Sequence, residues 1–300
     1  MIWVLLAVFS AILLGIYDLL KKYSLRDNAV IPILFISTLT NAIIFFPIIL
    51  YGTFGNHSVH SVFNFGHLSF TDHLLFFSKA IIVGSSWTFA YFAVKHLPLT
   101  IVSPIRSSGP LWTISGALIL FNEHLNGLQW IGIILTILFY YLFSFSGIKE
   151  GISFRTNKWV LYMTLATIIG SASSLFDKYL ILHYNRLVIQ GWYYIYMAPL
   201  MFIFMLIAWF PHRDKFTSFK WRYTIPFIGI CLTLGDFLYF WSLSYPGALI
   251  AIVSTIRRSS VIVSFSLGAY LFKEKNIKLK AIILAGILIG IGIILLGGGK

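Results

Sequence analysis

The chain has 300 residues, is 59% hydrophobic and only 10% charged, and carries a formal net charge of +13 with a mean hydropathy of +0.89. This balance excludes a soluble globular protein, because apolar runs of about twenty residues recur along the chain and each can cross a bilayer as a helix. Most of the positive charge lies between those runs, where it holds loops on one membrane face rather than marking a nucleic-acid surface.

Taken in order, the runs predict ten helices. The first five fall at about 2–24, 30–51, 74–95, 98–121 and 128–147. The second five fall at about 158–182, 189–210, 223–244, 247–272 and 279–297. Met1-Ile2-Trp3 has neither a basic region nor a small-residue cleavage site, so the first run is expected to be a span rather than a removable signal. Breakers such as Pro98, Asn126-Gly127, Pro211 and Pro246-Gly247 punctuate the connections. The longest loop, Gly52 to Asp72, is rich in His, Asn and Ser and holds no Lys or Arg. The lone Cys231 lies in an apolar run, which excludes an internal disulfide and a cysteine-type metal cluster.

A duplicated motif organises the chain. Val102-Ser103-Pro104-Ile105-Arg106-Ser107-Ser108 recurs as Val253-Ser254-Thr255-Ile256-Arg257-Arg258-Ser259-Ser260. Both copies run on, without a gap, to Leu-Phe-X-Glu, at Leu120–Glu123 and Leu271–Glu274. Five helices per copy is an odd number, so the second copy must enter from the opposite membrane face. The fold expected is an all-α membrane protein of ten transmembrane helices, built as two inverted repeats over 1–148 and 149–300. Lys22-Tyr23 against Lys178-Tyr179, and Tyr91 against Tyr239, are weaker matches between the copies. The loop cations bias one face. Lys22, Arg26, Lys95, Lys158, Lys220, Arg222 and Lys280 are among fifteen on it, against Lys79, Lys178, Arg186 and Lys300 on the other. The positive-inside rule makes the first group cytoplasmic and puts both termini outside.

An arginine in mid-span is costly unless it meets a partner, a polar cavity or a ligand. Arg106, Arg257 and Arg258 are therefore the candidate anion site, with Ser107, Ser254, Tyr91 and Tyr239 beside them. The competing reading is a structural ion pair with Asp236, which sits mid-span in the eighth helix. Three cations against one acid leave a positive surplus, and a planar guanidinium suits a carboxylate or phosphate. Asp18 and Lys22 are spaced as an i, i+4 pair. Gly286-x3-Gly290 reads either as a homodimer face or as internal packing. His67-x4-Asp72 matches the spacing of some membrane acyltransferases, the only enzyme reading the chain offers. The spacing of His57, His60, His67 and His73 fits no metal-ligand pattern, and no cofactor motif is present. No enzyme activity is expected.

These features resemble the drug/metabolite transporter superfamily, of the ten-helix EamA type, over essentially the whole chain. The five-plus-five organisation, Pro110 and the two repeat endings carry the resemblance. Asn122 and Lys273 stand where that family usually has glycine, and Val261 stands at the place matching Pro110. Ile105-Arg106-Ser107-Ser108-Gly109-Pro110 and Ile256-Arg257-Arg258-Ser259-Ser260 are also similar to the helix-4 and helix-9 motifs of triose-phosphate/phosphate translocators. That resemblance implies that Arg106, Arg257 and Arg258 clamp an anion. The function expected is secondary transport, by alternating access, of a small organic anion, with phosphorylated anions among the candidates. The alternative is an exporter of amino acids or drug-like metabolites whose arginines are structural. The expected setting is the plasma (inner) membrane of a bacterium.

Overall fold

The computed structural model describes residues 2–55, 63, 65, 67–97, 102, 105–106, 108–122, 124–148, 157–214, 217–264, 267 and 277–297. Regular structure among them is helical throughout. The first half holds α1 (Ile2–Leu25), α2 (Val30–Phe54), α3 (Phe70–His96), α4 (Gly109–Leu120) and α5 (Gly127–Ile148). The second holds α6 (Lys158–Ile181), α7 (Arg186–Phe204), α8 (Thr224–Leu243), α9 (Ile250–Arg258) and α10 (Ile277–Gly297). After α7 the chain loosens into a π turn, Met205–Trp209, and a 3-10 turn, Phe210–His212. Pro211 lies there and lacks the N–H needed to continue an α-helix.

Six of these helices, α1, α2, α3, α6, α7 with its extension, and α8, are long and apolar enough to cross a membrane. The described parts of α4, α5 and α10 carry shorter apolar stretches, Leu111–Leu120, Gly127–Phe139 and Ala285–Ile294. Burial runs opposite to that of a soluble protein. Large apolar side chains such as Ile43, Ile119 and Ile207 stand exposed on the outside, while Asp18, Lys21, Lys79, Asp177 and Asp236 are buried inside. A bilayer demands that arrangement, since lipid cannot solvate the charges. The chain is therefore a multi-pass integral membrane protein.

Helix pairing follows a regular pattern. The main partners are α1 with α8, α3 with α6, α2 with α7, and α5 with α10. Around them α4 meets α6 and α9, α9 meets α1, α3 meets α7, and α2 meets α8. Exchanging each helix with the one five places away leaves this set unchanged. Polar side chains tie the pairs together: Ser10 Oγ donates to the Gly235 carbonyl at 2.7 Å and Gln190 Nε2 to the Thr233 carbonyl at 2.9 Å.

Where the sequence predicts unbroken helices over 98–121 and 247–272, the described residues show breaks beside the arginines. In the first copy Ser108 Oγ donates to the Ile105 carbonyl at 2.7 Å, and α4 starts at Gly109. In the second Ser259 Oγ donates to the Ile256 carbonyl at 2.6 Å, and α9 ends at Arg258. The same back-bond forms at Ser37 and Thr38 inside the unbroken α2, so it accompanies the breaks without accounting for them. The two copies thus break at matching places, one residue after Ser107 and one after Arg258. The repeat-ending glutamates, Glu123 and Glu274, lie outside the described residues.

The Gly286-x3-Gly290 face is covered by α5. A Cβ on Gly286 would collide with the Phe139 ring, and one on Gly290 would lie 2.9 Å from the Thr136 backbone nitrogen. These glycines let two helices of the same chain approach closely.

Candidate functional site

α1, α3, α6 and α8 converge on a polar cavity of about 150 Å³, and the segments around Arg106 and α9 complete its wall. From the residues named by the sequence it receives Arg106, Arg257, Arg258, Ser254, Tyr239 and Asp236. Tyr91 is placed differently. It is buried one layer back, with its hydroxyl 3.5 Å from that of Tyr17 and 3.4 Å from Ser37 Oγ. Tyr17 stands at the wall in its place. Ser107 lies outside the described residues.

The charges form three groups. Asp18 is bracketed by Lys21 Nζ at 2.8 Å and by Arg106 Nη1 at 2.6 Å. Asp236 binds Arg257 and accepts hydrogen bonds from the hydroxyls of Tyr193 at 2.6 Å and Tyr194 at 2.9 Å. Asp177 lies 2.6 Å from Lys79 Nζ and accepts from the Tyr239 hydroxyl at 3.3 Å. Lys79 also donates to the Ser173 carbonyl at 3.1 Å. Aromatic faces cover the cations: Arg257 sits 4.0 Å from the Tyr239 ring centroid and Lys21 sits 4.3 Å from that of Tyr17.

Several expectations need correction. The sequence gives both arginines one candidate acid, Asp236, but only Arg257 reaches it, because Arg106 faces α1 and takes Asp18. Asp18 pairs with Lys21, one turn on, and not with Lys22. Lys22 Nζ instead donates to the Val94 and Leu97 carbonyls at 2.7 and 2.9 Å, at the open end of α3. Its sequence match, Lys178, does the same in the other half, donating to the Ala248 carbonyl just beyond α8 at 2.7 Å. Lys79, counted above among loop cations, is 2% exposed and well inside α3. Asp177 and Lys79 were missed altogether as site residues. The signal was present, since an ionisable group inside an apolar run is by itself a reason for attention.

His67 and Asp72 do not form a catalytic pair. Asp72 closes a capping box with Ser69 at the start of α3, its Oδ2 accepting from the Ser69 backbone N–H at 2.7 Å. Its other oxygen accepts from the Tyr184 hydroxyl at 2.6 Å, and that bond, with some desolvation, pushes the Tyr184 phenol up to about 12. The His67-x4-Asp72 spacing therefore reflects helix capping. Among the described residues no group of three His, Cys, Asp or Glu side chains is placed to hold a metal ion.

An all-helical membrane bundle around a polar cavity lined by buried charges fits the class of small-molecule transporters. The comparison of sequences agrees: the EamA-like transporter family model matches residues 1–145 and again 157–296, and the chain belongs to that family. The family is one of transporters, not of enzymes. Among curated proteins none matches the chain. One solved structure, titled only as the crystal structure of a protein, is similar over 98% of both chains with a TM-score of 0.69 at 16% identity. At that identity the likeness bears on the fold alone.

Proposed function

We propose that this chain is a ten-span secondary transporter that moves a small organic anion across a bacterial inner membrane by alternating access. The substrate carries a carboxylate or phosphate group, which Arg106 and Arg257 approach from the two halves of the protein. The observation that carries this reading is the charge balance around the cavity. Even with Arg258 left aside, Lys21, Lys79, Arg106 and Arg257 outnumber Asp18, Asp177 and Asp236 among the described residues. A surplus cation in a membrane interior favours an anionic ligand. Among the described residues the buried Arg257 Nε has no hydrogen-bond partner.

The inverted-repeat reading has three supports. The family model matches twice. The helix pairing is unchanged when the halves are exchanged. Lys22 and Lys178 donate to the carbonyls of Leu97 and Ala248, which correspond in the alignment of the two copies. In such repeats the broken helices frame the substrate, and the halves rock about it. The cavity wall runs along α6 from Asp177 back to Met163, a rise of about 21 Å at 1.5 Å per residue, toward the end that bears Lys158. That end gathers the basic loops, which the positive-inside rule assigns to the cytoplasm. No nucleotide-binding motif is present in the sequence, and transport runs on a gradient or on exchange.

A second reading has its own observation. Arg106 and Arg257 already hold carboxylates, as structural arginines would in an exporter of amino acids or drug-like metabolites. A melting screen of the purified protein against organic phosphates, carboxylates, amino acids and cationic drugs separates the two. Stabilisation by anions is expected. Stabilisation by cationic compounds alone would overturn the anion reading.

A further inference from the structure

A second cavity, of about 550 Å³, lies at the end of the bundle where α1 and α3 finish. Lys22, Arg26, Lys95, His96 and Lys220 line it, with Asp27 the one acid among its wall residues. It shares no wall residue with the central cavity.

This cavity is built rather than incidental. Three connections meet there and are cross-tied. Asn28 Nδ2 donates to the Lys220 carbonyl at 2.7 Å, and the Lys220 backbone N–H donates to Asn28 Oδ1 at 2.8 Å. Lys95 Nζ donates to the Asn28 carbonyl at 3.0 Å and to Thr217 Oγ1 at 2.7 Å. Lys22 is held by the two carbonyls that end α3. Carbonyls and a hydroxyl position these two ammonium groups but do not neutralise them. Among the described residues the Arg26 guanidinium meets Asp27 at 3.9 Å, with both side chains exposed.

The depth of the cavity is marked by aromatic residues. Tyr23 on its rim is 52% exposed, and Trp221 and Tyr223 beside Lys220 are 55% and 82% exposed. Arg222 lies over the Tyr23 ring at 5.4 Å and donates to the Tyr23 carbonyl, which joins this cluster to the cavity. Outward-facing Tyr and Trp at the ends of apolar helices mark the headgroup layer. Basic side chains grouped at that level attract anionic lipid.

We propose that this cavity binds the phosphate of an anionic phospholipid headgroup. The proposal does not depend on the transport reading, since it uses neither the central cavity nor its arginines. Each basic residue near an anionic surface contributes about 1 kcal/mol, so removal of two should weaken binding by about thirtyfold.

The test titrates phosphatidylglycerol into detergent-solubilised protein and follows melting. Phosphatidylcholine and inorganic phosphate serve as separate arms. The wild type should be stabilised by phosphatidylglycerol and by neither of the others, with the effect reduced by added salt. The double variant Arg26→Gln/Lys220→Gln should need about thirtyfold more lipid. The control Arg186→Gln, at the other end of the bundle and outside the cavity wall, should titrate like the wild type. Each single variant, Arg26→Gln and Lys220→Gln, repeats the test if the double does not fold. Equal titration of the cavity and control variants, or no response to phosphatidylglycerol, would overturn the proposal. The same stabilisation by inorganic phosphate, lost in the cavity variant, would make this a soluble-anion site and overturn the lipid assignment.

Discussion

Removing the Arg257 guanidinium tests the electrostatics of the site most sharply. Arg257→Ala leaves Asp236 buried, with the Tyr193 and Tyr194 hydroxyls still donating at 2.6 and 2.9 Å. Breaking a buried pair by deleting one partner costs about 3–5 kcal/mol. A hydrogen bond to a charged group contributes about 1.5–3 kcal/mol, so the two tyrosines keep the loss near the lower end, about 3 kcal/mol. Adding Asp236→Asn removes the stranded charge while keeping an oxygen for the tyrosines. The double variant should therefore be more stable than Arg257→Ala, with a coupling of about 2 kcal/mol in the cycle. Arg106→Ala provides the contrast. Its acid is Asp18, which keeps Lys21 as a partner at 2.8 Å, so Arg106→Ala should cost less than Arg257→Ala, and Asp236→Asn should not rescue it. Equilibrium unfolding in mild detergent measures the wild type, the single variants and the double variants. Melting of Arg257→Ala at or above the wild type, or equal rescue of both arginine variants by Asp236→Asn, would refute this partner assignment.

Other outcomes follow from the same geometry. Lys79→Met strands Asp177 with only the Tyr239 hydroxyl and should cost about 3–5 kcal/mol, whereas Asp177→Asn/Lys79→Met should recover much of that in the same unfolding assay. Gly290→Leu drives a side chain into α5 at Thr136 and should lower melting strongly without changing the size of the particle in detergent; monomer formation without destabilisation would make this a subunit interface. In a Cys231→Ser background, a cysteine at His67 should label from outside the cell and one at Lys220 only from within; the reverse pattern would invert the topology.

Much of the fold was legible in the sequence because a bilayer imposes one simple rule, a long apolar run for each span. Among the described residues a helix falls within each of the ten runs, with α1, α2 and α6 close to their expected bounds. The breaks beside Arg106 and Arg257 were not legible. Hydropathy does not register where a helical ladder is interrupted, and the apolar runs do not mark Ser108 or Ser259 as break points. The arginines announced themselves by their cost in an apolar run. Their partners did not, because pairing depends on which helices meet. Asp18 looked like the local partner of Lys22 until α1 packed beside the segment that carries Arg106. Asp177, next to Lys178 near a helix end, was not singled out. Its pairing with Lys79 spans two helices and ninety-eight residues, a relation that spacing along one helix cannot supply. Tyr91 and Tyr239 match in sequence but differ in layer, since Tyr17 stands in front of the first.

The central claim is that the arginines of the two halves receive the charge of an organic anion. Calorimetric titration of the most stabilising anion from the melting screen tests it directly, in wild type and in Arg257→Lys. Lysine keeps the charge beside Asp236 but loses the planar two-pronged donor. The account predicts a folded Arg257→Lys protein whose affinity falls at least tenfold, by about 1.4 kcal/mol or more. Unchanged affinity in a folded Arg257→Lys protein, repeated in Arg106→Lys, would contradict it.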